Sequence, residues 1–581
     1  MSTQQRKVKS ILIIGFVLLI TLGFASPALT KDLGNFGKMP PANILACLQK
    51  DFEFLLELSI KKVEVAGGLP EYMQVTGTLY PQIRFELRLP TKGWNKKFYM
   101  TGCGGFCGGV DTTFPNSQFT NNLNWGLIRG YAAATTDSGH NHGGAGRTYG
   151  AWALNNRRGE IDWGYRSIHD VTRVCKAIVK LFYHRPPEYS YFAGCSTGGR
   201  QAIMETLRYP EDFDGIISGA PALDYTGLVA TWMSWIVQAT QGITFDLNAI
   251  KQAVLNQCDD ADGVLDGIIS DPRRCSVDFS NIVPPDQLAA LEKLYGKPVN
   301  SLGKELYPGG IPYGSEQYWN FWVPGAGLGI IKAFNQNFLK FMAFENDPPA
   351  DWDPLSFDFD KHPQLLDFMG NIYNAISPDL KTFKKLGGKL IMYQGWADSI
   401  VPPAYTRNYY ERVIAAMGGL EKTQNFFRFF LIPGMDHCST QVKDGYDDFD
   451  MLSALENWVE KGEAPDVIIA SGVTSTGTKR SRPLFPYPLF ANYVGGDPND
   501  PGSFVAANDG SVRWKQFRKD TFYAFEIVGF WNNPVTEGEE LYHFYPYELG
   551  LEMGLYNWRV WSPSMFDDMD YPGFHGAFEV E

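Results

Sequence analysis

Basic residues are scarce in this chain: 51 Lys and Arg stand against 64 Asp and Glu, for a formal net charge of −13. That balance argues against an electropositive groove for nucleic acid and against a surface drawn to anionic membrane. Long apolar runs are lacking too. The one candidate, Ile11 to Phe24, is too short and too poor in flanking anchors for a permanent span. Cysteine is limited to eight positions whose spacings match no zinc signature, which sets metal thiolate ligation aside. Histidine is equally sparse, with eight positions, so one that falls at a meaningful place stands out.

What is present begins at the N-terminus. Arg6, Lys7 and Lys9, the apolar run, and the small residues Ala25, Ser26 and Ala28 have the layout of a secretory signal peptide over residues 1–28. A retained anchor is the alternative, and Pro27 with the small residues favours cleavage. The mature protein is therefore expected to be secreted or periplasmic, with no membrane partner. Export makes the cysteines candidates for disulfides, whose connectivity counting alone does not give.

At 581 residues and 44% apolar, the chain is expected to hold more than one compact unit. Ala42 to Lys62 reads as a helix, and Gln82 to Leu89 alternates as a half-buried strand. Phe98-Tyr99-Met100 and Gly130 to Thr136 are further strands, Arg158 to Tyr183 carries helical spacing, and short apolar runs keep alternating with helices. That rhythm implies a mostly parallel sheet covered by helices on both faces.

Within it lies Gly194-Cys195-Ser196-Thr197-Gly198, a G-x-S-x-G nucleophile elbow, with a strand-like run before it and a helix-like run after. Ser196 is the candidate nucleophile. Upstream, Gly102-Cys103-Gly104-Gly105-Phe106-Cys107-Gly108-Gly109 follows the strand at Phe98. So many glycines are entropically costly, and something must approach their backbone closely. An α/β hydrolase uses such a loop for one oxyanion amide, here Gly104 or Gly105, and takes the other from the residue after the nucleophile, Thr197. Asp398 follows the strand Lys389 to Gln394, and His437 follows the strand Phe426 to Ile432. The order Ser196, Asp398, His437 is that of the α/β-hydrolase fold. His140 and His142 precede the serine and do not fit it. Asp436 adjoins His437 in the chain and is poorly placed to meet its ring.

From 223 to 384 the sheet rhythm lapses in an aromatic-rich insertion, expected to be a lid domain in which Trp232, Tyr318, Trp319, Trp322 and Phe338 are among the rings available to line a pocket. Inside it, Asp259, Asp262 and Asp266, with carbonyls between and after them, present an oxygen set suited to a calcium ion, at a spacing that is not an EF-hand's. The catalytic domain is expected at 35–222 and 385–505, with a C-terminal extension over 506–581.

Taken together, Cys195-Ser196, Asp398 and His437-Cys438 resemble the CS-D-HC arrangement of the tannase and feruloyl esterase family, which includes terephthalate-monoester hydrolases. The likeness spans roughly 42–506 and includes Gly395-Trp396-Ala397-Asp398 and Arg482-Pro483-Leu484. It implies a disulfide from Cys195 to Cys438, a second from Cys258 to Cys275, and a structural calcium held by Asp259, Asp262 and Asp266 with the carbonyls of Val264 and Ile268. The pairing of Cys47, Cys103, Cys107 and Cys175 stays open. The resemblance implies a secreted serine esterase for small aromatic esters. A catalytically inactive, calcium-stabilised binding protein on the same scaffold is the alternative. The acyl and alcohol groups and the oligomeric state are in no motif.

Overall fold

Nine strands form one sheet, and their order accounts for where the chemistry falls. In chain order they are β1 Leu55–Val63, β2 Tyr72–Leu79, β3 Ile83–Pro90, β4 Lys97–Thr101, β5 Ala132–Thr136, β6 Tyr189–Cys195, β7 Gly215–Gly219, β8 Lys389–Gly395 and β9 Phe427–Ile432. Their spatial order is β1-β2-β3-β5-β4-β6-β7-β8-β9. The first three pair antiparallel and β3 meets β5 antiparallel; from β5 through β9 every pair is parallel. This computed structural model describes residues 40–64, 67–110, 122–438 and 444–508, with the backbone of three further short strands at Val512–Gln516, Tyr523–Ile527 and Tyr542–His543. The expected signal peptide lies outside the described residues, as does most of the C-terminal extension. No helix among the described residues is long and apolar enough to cross a membrane.

The parallel strands are apolar on both sides because helices cover both faces. Tyr191, Phe192 and Ala193 of β6 and Leu390, Ile391 and Met392 of β8 are fully buried. The helix Ser167–Tyr183 lays Ile168, Val171, Cys175 and Ile178 against the sheet, so Cys175 is a buried free thiol.

Two local expectations are corrected. The stretch expected as a helix from Ala42 to Lys62 is a helix only over Pro41–Leu48 and then becomes β1. Apolar residues at 55, 58, 60 and 63 suit either period over so short a run. The ladder with β2, from Leu55↔Leu79 to Val63↔Tyr72, decides for the strand. The helical run from Arg158 is also interrupted. A wide π turn at Asp162–Arg166 precedes Ser167–Tyr183, and the carbonyls of Trp163 and Gly164 that it presents accept from Arg200 at 3.2 and 2.7 Å.

The segment between β7 and β8 forms a helical cap whose own core contains Trp232, Tyr318, Trp319 and Phe338, all fully buried. That core is continuous with Phe106 of the glycine loop and with Ala397, Ile400 and Val401 beyond β8.

Candidate active site

Ser196 sits at the turn from β6 into the helix Thr197–Arg208, with φ 63° and ψ −123°. A side chain in this left-handed region is strained, and here the strain is held by neighbours. The Ser196 amide donates to Gly219 O at 3.0 Å, and the Arg200 amide donates back to Ser196 O at 3.0 Å. Glycine is required at 194 because a Cβ there would stand 2.6 Å from the Gly198 carbonyl carbon. Arg200, one turn into the helix, is fully buried over the Trp163 ring and also donates to Tyr373 O at 3.0 Å. Burial holds its guanidinium down to about 10. No motif singled this residue out, because its burial is decided by Trp163, Gly164 and Tyr373, all distant in the chain.

The candidate acid and base come from the ends of β8 and β9. Asp398 Oδ2 lies 2.8 Å from His437 Nδ1. Its other oxygen accepts the amides of Ile400 at 3.0 Å and Val401 at 2.8 Å, while Gln394 Nε2 donates to Oδ2 at 2.8 Å. With its lone pairs so occupied, the carboxylate is fixed in direction although fully buried. Burial alone would depress the His437 pKa, but the charge and hydrogen bond of Asp398, with the charge of Asp436, outweigh it and raise it. The two loops are knitted by Ala397 N donating to Met435 O at 3.0 Å. Cys195 and Cys438 are disulfide-bonded with Cα atoms 5.9 Å apart, so Ser196 and His437 are each one residue from a covalent link joining their loops.

The glycine loop closes on the elbow. Thr197 Oγ1 donates to Gly105 O at 2.6 Å, and a Cβ on Gly102 would lie 2.6 Å from Gly198 Cα. Part of the loop's glycine content therefore answers to the elbow helix itself. Cys103 and Cys107 bridge each other, a pairing counting could not select. The Thr197 amide opens its helix and has no intrahelical acceptor. Gly104 and Gly105 stand beside it through the Thr197–Gly105 bond. His140, set aside on chain order, packs behind this loop, stacked on Trp152 with centroids 3.9 Å apart. Burial holds it neutral, its pKa down to about 3.

Of the rings named from sequence, Trp232, Tyr318, Trp319 and Phe338 build the core of the cap, and Trp322 stands edge-on to His437 with centroids 5.6 Å apart. Asp436 does not approach the imidazole through a hydrogen bond of its own; its oxygens accept from Trp322 Nε1 and Ser399 N.

Asp259, Asp262, Val264, Asp266 and Ile268 fall in one loop closed by the Cys258–Cys275 disulfide, with Cα atoms 5.3 Å apart. Among the described residues no three His, Cys, Asp or Glu side chains are gathered closely enough to form a metal-holding group. Asp259 accepts the Gly267 amide, Asp262 the Val264 amide and Ser270 hydroxyl, and Asp266 the Ile268 amide. Arg482 approaches Asp262 at 3.6 Å and Asp266 at 3.2 Å. Even so, burial pushes Asp266 up to about 6, with repulsion from Asp262 and Asp259 added and with Arg482 and Arg480 opposing. Burial, more than like charge, is what raises it, and the side-chain donors of the loop are all oxygen, the type a hard divalent cation takes.

A parallel-centred sheet with its serine on an elbow and an acid and a histidine after the next strands is the α/β-hydrolase fold. The profile of the tannase and feruloyl esterase family matches residues 64–507, and the chain belongs to that family. It is 33% identical to the mono(2-hydroxyethyl) terephthalate hydrolase of Piscinibacter sakaiensis, covering 76% of this chain and 86% of that protein. To an uncharacterized esterase of Xanthomonas campestris it is 32% identical over the same shares, 76% and 86%. Among solved structures, feruloyl esterase B from Aspergillus oryzae superposes with TM-score 0.67 at 25% identity, covering 78% of this chain and 96% of that one. The chain is an esterase.

Proposed function

We propose that the chain is an exported serine esterase that hydrolyses esters of aromatic acids through an acyl-enzyme. The observation that carries the mechanism is the 2.8 Å contact of His437 Nδ1 with Asp398 Oδ2 in a loop bridged to the residue before Ser196. Asp398 holds Nδ1 protonated, leaving Nε2 to take the Ser196 proton as Oγ attacks the ester carbonyl. The amides of Thr197 and of Gly104 or Gly105 receive the oxyanion. His437 then returns its proton to the leaving alcohol, and water repeats the sequence on the acyl-enzyme.

The aromatic acyl group is supported by the relatives: one is named a terephthalate-monoester hydrolase and others feruloyl esterases. Trp322 beside His437 offers a ring surface in the right place. Three disulfides among the described residues support export. Calcium held by Asp259, Asp262, Asp266 and the Val264 and Ile268 carbonyls would supply charge compensation and rigidity rather than chemistry. Ser196→Ala should abolish turnover of methyl ferulate, methyl gallate and a terephthalate monoester alike while the protein stays folded. Retained turnover in that variant would refute the serine mechanism, and wild-type preference for aliphatic over all three aromatic esters would refute the substrate class.

A further inference from the structure

Asp436 is a buried carboxylate that the triad does not use, one residue before His437. Its two oxygens are divided between two other elements. Oδ1 accepts the Ser399 amide at 3.1 Å, from the residue after Asp398, and Oδ2 accepts the Trp322 indole N–H at 2.7 Å, from the cap. The cap holds the histidine loop a second time, two residues earlier, where Tyr318 donates its hydroxyl to Gly434 O at 2.7 Å. The segment from Tyr318 to Trp322 thus grips the loop on both sides of Met435.

A neutral amide has one acceptor oxygen and would turn its NH2, a donor, toward one of these two N–H groups, whereas the carboxylate accepts both at the cost of burying a second acid near Asp398. The charge has a further consequence. The groups that act on Asp436 are Asp398, His437, the Trp322 indole and the Ser399 amide. Burial, then repulsion from Asp398, pushes Asp436 up to about 7, against the donors Trp322 and Ser399 and the charge of His437. The Trp322 N–H therefore favours the ionised form, which in turn favours protonated His437.

We propose that Trp322 and Asp436 are positioning residues through which the cap sets the geometry and proton affinity of His437. The indole anchors the carboxylate, the carboxylate ties the acid loop to the histidine loop, and the imidazole is held where Nδ1 meets Asp398. The inference rests on the reading of Ser196, Asp398 and His437 as a triad.

Trp322→Phe and Asp436→Asn in the full chain, assayed with 4-nitrophenyl acetate, test it. The small acetyl group makes little use of a ring surface, so a loss of indole packing alone should raise KM slightly or not at all. Trp322→Phe should lower kcat roughly ten- to a hundred-fold with KM nearly unchanged, as for one lost hydrogen bond to a charged group. Asp436→Asn should move the acid limb of the kcat/KM profile to lower pH, because protonated His437 loses a neighbouring negative charge. Thermal melts report folding, and if Asp436→Asn fails to fold, Trp322→Phe still decides through its kcat against KM. Folded variants with wild-type kcat and an unmoved acid limb overturn the proposal while leaving the triad intact. A wild-type protein that does not react with a fluorophosphonate removes the triad reading itself, and this proposal with it.

Discussion

His437 meets one carboxylate through a hydrogen bond and a second through charge, and this sets what single substitutions should do. Asp398→Asn keeps the volume but no longer fixes the imidazole tautomer, so kcat should fall by about three to four orders of magnitude, read with an activated ester. The wild-type pH profile carries a sign as well. In the proposed mechanism only neutral His437 takes the Ser196 proton, and its pKa is raised by Asp398 despite burial. Activity should therefore rise with pH through a midpoint above the ordinary histidine value of 6.5. A midpoint below that value would contradict the arrangement. The candidate residues were legible because each follows a recognisable strand end. The roles of Arg200, Trp322 and Asp436 were not, since each depends on a contact with a residue 36 or more positions away.

Among the elements, the elbow and the two loops it touches are held by contacts that can be removed one at a time. Cys195 and Cys438 are 243 residues apart, and their bridge restricts the unfolded chain as well as joining the elbow to the histidine loop. The Cys195→Ala/Cys438→Ala pair should lose about 2–5 kcal/mol of stability by denaturant titration. Its kcat should fall too, since the histidine loop loses its covalent anchor. Thr197→Val leaves the Gly105 carbonyl to Tyr225 Oη, which donates to it at 3.4 Å. It should cost about 1–3 kcal/mol and at least roughly ten-fold in kcat, through a displaced oxyanion loop; an unchanged kcat would separate that loop from catalysis. Strand β1 shows where reading by element fails. Its apolar spacing over nine residues suits two structures, and only the partner strand chooses.

Over the whole molecule, buried acids dominate the pH response. Burial pushes Asp137 and Asp266 up to about 6 and Glu160, Glu316 and Asp436 up to about 7. Groups raised in the fold bind protons that the unfolded chain has already released, so the stability they confer is present at low pH and is lost as pH rises from about 4 to about 7. His140, lowered to about 3 by burial, acts oppositely in its own range, as do the carboxyls of Glu71, Asp278, Asp358 and Asp450, which their hydrogen-bond partners hold down. The calcium-free protein should accordingly melt higher at pH 5 than at pH 8 by calorimetry. Calcium at Asp266 would reverse that acid's contribution, and chelation at pH 8 should lower Tm. Unchanged melting together with no bound metal by elemental analysis would reject the site.

The sequence by itself determined the elbow turn, the strand ends that carry Asp398 and His437, and the oxygen-rich loop, because each is written in a contiguous run whose backbone needs are local. Only the tertiary structure decided that the glycine loop is hung from Thr197, that Cys103 pairs with Cys107, that Arg480 and Arg482 already meet part of the acidic charge, and that the cap touches the histidine loop through Tyr318 and Trp322. Those are contacts between segments brought together by packing, and nothing in the spacing of either partner encodes the distance between them.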